Sequence, residues 1–211
     1  MKLQLMFTKQ SDARRSRPES RALGCRSERR GERGAALLEA AIVLPLLLIL
    51  VAGILEFGVG FQESATIAAA ARAGARSASA LPKNATFAQA AADAATAQLQ
   101  GVPSNAPQAL WVFHVAPNTA GPIGRFGNCT DCQGFRWDPN QKRFDTSSNL
   151  PGSNAWLPAN QVACGAQSDD VGVAVLLNHK YFFGMFGTSK MLSRASIMRL
   201  EPFVGSTACG G

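Results

Sequence analysis

Histidine is nearly missing from this chain: His114 and His179 are the only two in 211 residues. Both lie in strand-like stretches, where a lone histidine is more often structural or surface-placed than a ligand. No His-Glu-x-x-His pattern and no paired Cys/His spacing accompanies them, so no metal site is expected. A glycine-rich phosphate loop, a dinucleotide fingerprint and a nucleophile elbow are also absent. No cofactor and no enzymatic activity are therefore expected. No internal repeat is visible. Acidic residues are the minority charge, 14 against 21 Lys and Arg.

That imbalance is local. Residues 1–34 hold ten of the basic side chains and four of the acidic ones, so they account for +6 of the formal +7. A basic segment suits nucleic acid or acidic lipid, and it also suits the cytoplasmic flank of a membrane helix. The apolar run next to it decides for the flank, and no nucleic-acid partner is expected. Ala40–Leu55 carries no charge, and its sixteen residues span roughly 24 Å as a helix, short of the ~30 Å hydrocarbon core. Counting from Ala35 gives about 31 Å, which fits. The fit requires Glu39 to lie inside or at the rim of the bilayer. With the basic end inside, the chain beyond Phe61 is extracytoplasmic, and the protein is single-pass in the inner membrane.

The chain then divides into four parts. Residues 1–34 read as a disordered basic leader. Residues 35–61 form the transmembrane helix, with Pro45 inside it freeing a carbonyl and bending the axis. Residues 62–103 are helical and extracytoplasmic. Their first part, "QESATIAAAARAGARSASA", continues the helix to about Ala80, before Pro82. Its small apolar face, Ile67, Ala70, Ala71 and Gly74, packs either on its own domain or on other subunits; both readings stand. A second helix comes next in "TFAQAAADAATAQLQG", capped by Thr86 and closed by Gly101. Residues 104–211 are β-rich: Ala109–Val115, a hairpin placing Phe135–Trp137 and Lys142–Phe144 on either side of an Asp-Pro-Asn turn, Val171–Phe182, and Ser193–Glu201. The fold class is α+β, a long N-terminal helix extended outside the membrane, a second short helix and a small antiparallel sheet.

A cut after Gly34 makes Glu39 the fifth residue of the mature chain. Basic leader, glycine, apolar helix and fifth-position glutamate together resemble a class III (type IV-like) prepilin signal. The new Ala35 amine is positive, and Glu39 of a neighbouring subunit neutralises it. An ordinary uncleaved signal anchor with a snorkelling glutamate is one alternative. A secretory signal cut at an Ala-x-Ala site in "ATIAAAARAGA" is another, with an unusually long basic region. The likeness extends further. "RGAALLEAAIVLPLLLILVAGILEFG", "AAAARAGARSASA" and "SRASIMRLEP" resemble the TadE/TadG-like pilus assembly family of tight-adherence (Flp) pilus systems. The matching positions are Gly34, Glu39, Pro45, Glu56–Gly58, Ala71–Arg76 and Met198–Pro202, while 81–170 carries no motif. The resemblance implies a membrane-embedded minor pilin or pseudopilin, with Gly34 and Ala35 as the processing site and Glu39, Pro45 and Glu56 as assembly residues. Its implied partners are a prepilin peptidase, other pilin-like subunits, the assembly machinery and the membrane. The competing function is a signal-anchored extracellular binding module or adhesin, with no leader processing.

Four of the five cysteines, Cys129, Cys132, Cys164 and Cys209, fall on the outer side, where disulfides persist; Cys25 is alone on the cytoplasmic side. "CTDC" lies in loop-like surroundings, unlike a redox pair that opens a helix. Structural disulfides are expected. If Val171–Phe182 and Ser193–Glu201 pair antiparallel, the segments carrying Cys164 and Cys209 leave the sheet at the same end. The expected pairing is then Cys164 with Cys209 and Cys129 with Cys132.

Overall fold

The computed structural model describes residues 28–115, 131–145, 150, 156–164, 168–184 and 187–202. Helix α1 (Glu28–Ser79) and helix α2 (Phe87–Gln98) precede five strands, β1 (Pro107–Val115), β2 (Cys132–Asp138), β3 (Arg143–Asp145), β4 (Asp170–Lys180) and β5 (Ser189–Arg199). The α+β class is as expected.

The chain divides into two units, Met1–Leu48 and Ile49–Gly211. In the first, α1 is an isolated apolar rod: Leu37, Leu38, Ile42, Leu46, Leu47 and their neighbours are all exposed, and Pro45 stands in the helix interior. The helix begins at Glu28, so the last seven residues of the leader are helical, not disordered. Arg and Glu, five of those seven residues, are good helix formers, and a turn added to an existing helix needs no new nucleus. The rest of the leader, including Cys25, lies outside the described residues.

In the second unit α1 turns from rod into core. Ile67, Ala70, Ala71, Ala75 and Ala78 are fully buried, at the three- and four-residue spacing of one helix face. They share a cluster with Phe87, Ala88, Ala91, Ala92 and Ala95 of α2 and with Val171, Val173, Val175 and Leu177 of β4. Of the two readings of the alanine stretch, packing on its own domain is the one observed. Gly74 is where the helices and sheet come closest: a β-carbon there would lie 3.0 Å from the Ala91 carbonyl oxygen and 3.0 Å from Val173 Cγ1. Ala80 N–H donates to the Arg76 carbonyl and Leu81 N–H to the Ala78 carbonyl as α1 closes, and Pro82 comes next as expected. Thr86 stands at the N-cap of α2 without making the side-chain cap bond. Its hydroxyl and its N–H both donate to Asn84 Oδ1 instead, because a local Asx acceptor two residues back is nearer than the helix amides.

The sheet has the order β3-β2-β1-β4-β5, and every pairing is antiparallel. The hairpin is present, with Arg136 opposite Asp145 and Asp138 opposite Arg143. Asp138 Oδ1 accepts from the N–H groups of Asn140 and Gln141 and holds the turn. One sheet face covers the helices. The other carries Ala109, Trp111, Phe113, Cys132 and Ala174, with Leu150 and Leu176 against them. Phe113 sits opposite Gly172, and its ring occupies the place a β-carbon would need there. β5 starts at Ser189, four residues before the expected Ser193, because Ser189–Leu192 pairs in unbroken register with Leu177–Lys180.

Candidate functional site

The expected processing residues lie inside α1. Nothing comes within 4 Å of a β-carbon placed at Gly34, and Ala35 beside it is exposed. Glu39, one turn further on, is exposed as well. It makes no hydrogen bond and no ion pair among the described residues. Glu56, at the other end of the apolar run, is different: it is only 2 % exposed.

Glu56 is buried because the head closes over it. Its Oε1 accepts the N–H of Phe182 at 2.7 Å and its Oε2 the N–H of Phe183 at 3.1 Å. Beside it stands His179 of β4, 3 % exposed, with Nε2 3.9 Å from Glu56 Oε1. The other ring nitrogen, Nδ1, is 2.7 Å from Glu63 Oε2. A carboxylate acceptor at that distance assigns a proton to Nδ1. Nε2 is buried and makes no hydrogen bond among the described residues. Glu56, Gly60 and Glu63 recur at four and three residues, so they share one face of α1. Gly60 gives the imidazole its seat: a β-carbon there would be 3.6 Å from Nε2. The Tyr181 ring closes the far side edge-on at 5.0 Å. The result is a clasp of two helix carboxylates and one strand imidazole, fixing the end of β4 and the turn after it to α1. At 2.7 Å the Nδ1–Oε2 contact is a direct hydrogen bond with no space for an intervening ion. Among the described residues no group of three His, Cys, Asp or Glu side chains could hold a metal.

The clasp gives a first testable outcome. Glu56→Ala removes the charged acceptor of two amides and leaves His179 with Glu63 alone. The expected cost is roughly 1–3 kcal/mol, the range for hydrogen bonds to a charged group at a turn that water can reach. Amide hydrogen exchange should quicken at Phe182 and Phe183 and stay unchanged in β1. Wild-type exchange at both amides would contradict the role assigned to Glu56.

His179 as the partner of Glu56 was not read from the sequence. Its signal was parity: Val171, Val173, Val175, Leu177 and His179 alternate, and the first four point into the core. A histidine in that series needs a buried polar partner. His114 has a plainer place, its ring stacked on Trp156 at 4.9 Å and its Nε2 3.4 Å from Asp169 Oδ1. Cys132 is fully buried at the start of β2. Cys129 and Cys209 lie outside the described residues, and the pairing with them.

One further end of the fold is tied down. Glu201 N–H donates to the Ser79 carbonyl at 2.9 Å, so the chain leaving β5 is bound to the last residue of α1. The "ARAGAR" and "MRLEP" segments therefore meet through the end of the helix.

Fold and site define a chain whose N-terminal helix is long and apolar enough to cross a membrane over one part and is the spine of an α+β head over the next. Residues 34–76, the helix from the glycine junction to Arg76, match the family of TadE-like proteins, as the resemblance implied. No curated protein and no solved structure matches the chain.

Proposed function

We propose that this protein is a membrane-anchored minor pilin or pseudopilin that takes part in assembling a tight-adherence (Flp-type) pilus. The observation that carries the reading is the TadE-like match over residues 34–76, which opens on Gly34 and includes Glu39, Pro45 and Glu56. Residues 35–61 hold it in the inner membrane, the basic leader lies in the cytoplasm, and the head lies outside. A prepilin peptidase removes residues 1–34. Its other partners are pilin-like subunits and the assembly machinery, and its role is structural, not catalytic.

Glu39 and Glu56 divide the work. Glu56 is satisfied within its own chain. Glu39, exposed and without a partner among the described residues, is the carboxylate left for the Ala35 amine of a neighbour. The test is complementation. Cells lacking the gene should lose Flp-type pili and regain them with the wild-type copy. Undiminished piliation without the gene would remove the assembly role.

Gly34→Val is expected to leave the full-length precursor in the membrane, since a branched side chain replaces the glycine that must enter the peptidase. Immunoblot size reports the outcome, and normal shortening of the variant would contradict the junction.

Within this reading the outer cysteines pair as Cys164–Cys209 and Cys129–Cys132. Asp170, at the start of β4, pairs with Arg199, at the end of β5, which supports the first bridge by bringing the two flanking segments to one end of the sheet. Such a bridge closes a loop of about 45 residues and contributes roughly 4 kcal/mol in the chain-entropy treatment, before native strain. Non-reducing peptide mapping should recover a 164–209 cross-linked peptide. A peptide joining Cys129 or Cys132 to Cys164 or Cys209 would overturn the pairing.

A further inference from the structure

The clasp holds something out as well as in. The turn after β4 starts "YFFGMFGTSK", and the two residues whose amides Glu56 accepts, Phe182 and Phe183, are 78 % and 55 % exposed. Large apolar side chains at a turn tip, presented to solvent, mark a contact surface when they are grouped. Here the turn is bonded to α1 at Glu56, and α1 carries exposed apolar side chains at the same level. Ile54, Phe57 and Phe61, at three- and four-residue spacing on one strip of the helix, are exposed by 62 %, 52 % and 75 %. The strip is continuous with the wholly apolar, exposed helix surface that precedes it from Ile49. Gly184 and Gly187 take left-handed backbone angles, φ 65° and 111°, and let the chain reverse at the tip.

We propose that the Phe182–Phe183 turn is a membrane-docking loop that enters the outer-leaflet interface of the same bilayer the helix spans. The inference rests on the membrane-anchor reading and adds a second point of attachment to it. Three observations favour lipid as the occupant. Glu56 is the first charged residue after the charge-free run Ala40–Leu55, so the turn is pinned to the helix at the level where hydrocarbon ends. Lys180 and Lys190, both exposed, flank the turn on the two paired strands; Lys stems lie along apolar surface while their ammonium groups reach phosphate. Phe57, directly after Glu56, is exposed and apolar, so the exposed apolar surface of the helix reaches the level at which the turn is held. Exposed phenylalanine in a turn flanked by exposed lysine is the composition of an interfacial segment. Two attachments, helix and loop, fix the tilt and rotation of the head on the membrane surface, which a single helix leaves free.

The experiment uses the full chain, reconstituted in vesicles of phosphatidylethanolamine and phosphatidylglycerol, with a photoreactive benzophenone side chain at one position at a time. Position 182 should give lipid adducts. Position 47, inside the apolar run, should give them too, and position 197, an exposed isoleucine site on β5 away from the turn, should give none. Glu56→Ala should lower the yield at position 182 and leave that at position 47 unchanged. Lipid adducts at 47 without any at 182 would overturn the docking loop while leaving the anchor standing. A cross-link from 182 to a second protein chain would do the same and assign the turn to a subunit contact. Absence of lipid adducts at 47 would overturn the anchor reading itself, and the docking loop with it.

Discussion

Glu39→Ala is expected to give a subunit that inserts, loses its leader and builds no pilus. The reason starts from cost. A carboxylate near mid-bilayer is unfavourable by ~3 kcal/mol on insertion scales, and by less toward the edge. Alanine therefore inserts at least as well as glutamate, and the junction at Gly34 is untouched. What the proposed pilus subunit loses is the acceptor for the positive Ala35 amine of its neighbour. Glu56 does not replace it, because both of its oxygens are engaged by the amides of Phe182 and Phe183. The measurement is paired: immunoblot for insertion and processing, electron microscopy for pili. Wild-type piliation by Glu39→Ala would refute the assembly role, and failure to insert would refute the reasoning from cost.

The second large effect is expected at Gly74. Its α-carbon sits where α1, α2 and β4 approach, and a single added carbon already comes within 3.0 Å of a backbone oxygen and of Val173 Cγ1. Gly74→Leu adds three further carbons with no flexible neighbour to give way. Overpacking of this kind costs about 1–3 kcal/mol and sometimes more, enough to move the melting temperature of a domain this size by several degrees. Arg72→Ala, two residues away but exposed, should stay within about 0.5 kcal/mol of wild type. Thermal unfolding in detergent separates the two. If Gly74→Leu melts with the wild type, the alanine stretch is not a packed spine.

Much of the fold was legible because its signals are local. The charge-free run and the alanine-rich continuation announce α1, and Pro82 its end. The Asp-Pro-Asn turn announces the hairpin, and alternation announces β4. What stayed hidden depends on contacts distant in sequence. Glu63 and His179 are 116 residues apart, and neither residue type in isolation names the other. The two readings of Ala70–Ala78 differ only in what covers the face, which α2 and β4 decide. Ser189–Leu192, two polar residues followed by two apolar ones with no alternation, reads as loop until its pairing with Leu177–Lys180 is known. Thr86 has the right chemistry for a cap and is drawn away by Asn84, a competition between two local bonds that composition does not rank.

The apolar helix is proposed to be a prepilin-type anchor whose chain starts anew at the glycine junction. The measurement that tests it most directly is the N-terminal sequence of the protein extracted from membranes. Ala35 is expected as the first residue, with Ala36, Leu37, Leu38 and Glu39 after it. An intact Met1 would contradict it and favour a signal-anchored binding module, and a start within 65–76 would contradict it in favour of a cleaved secretory signal.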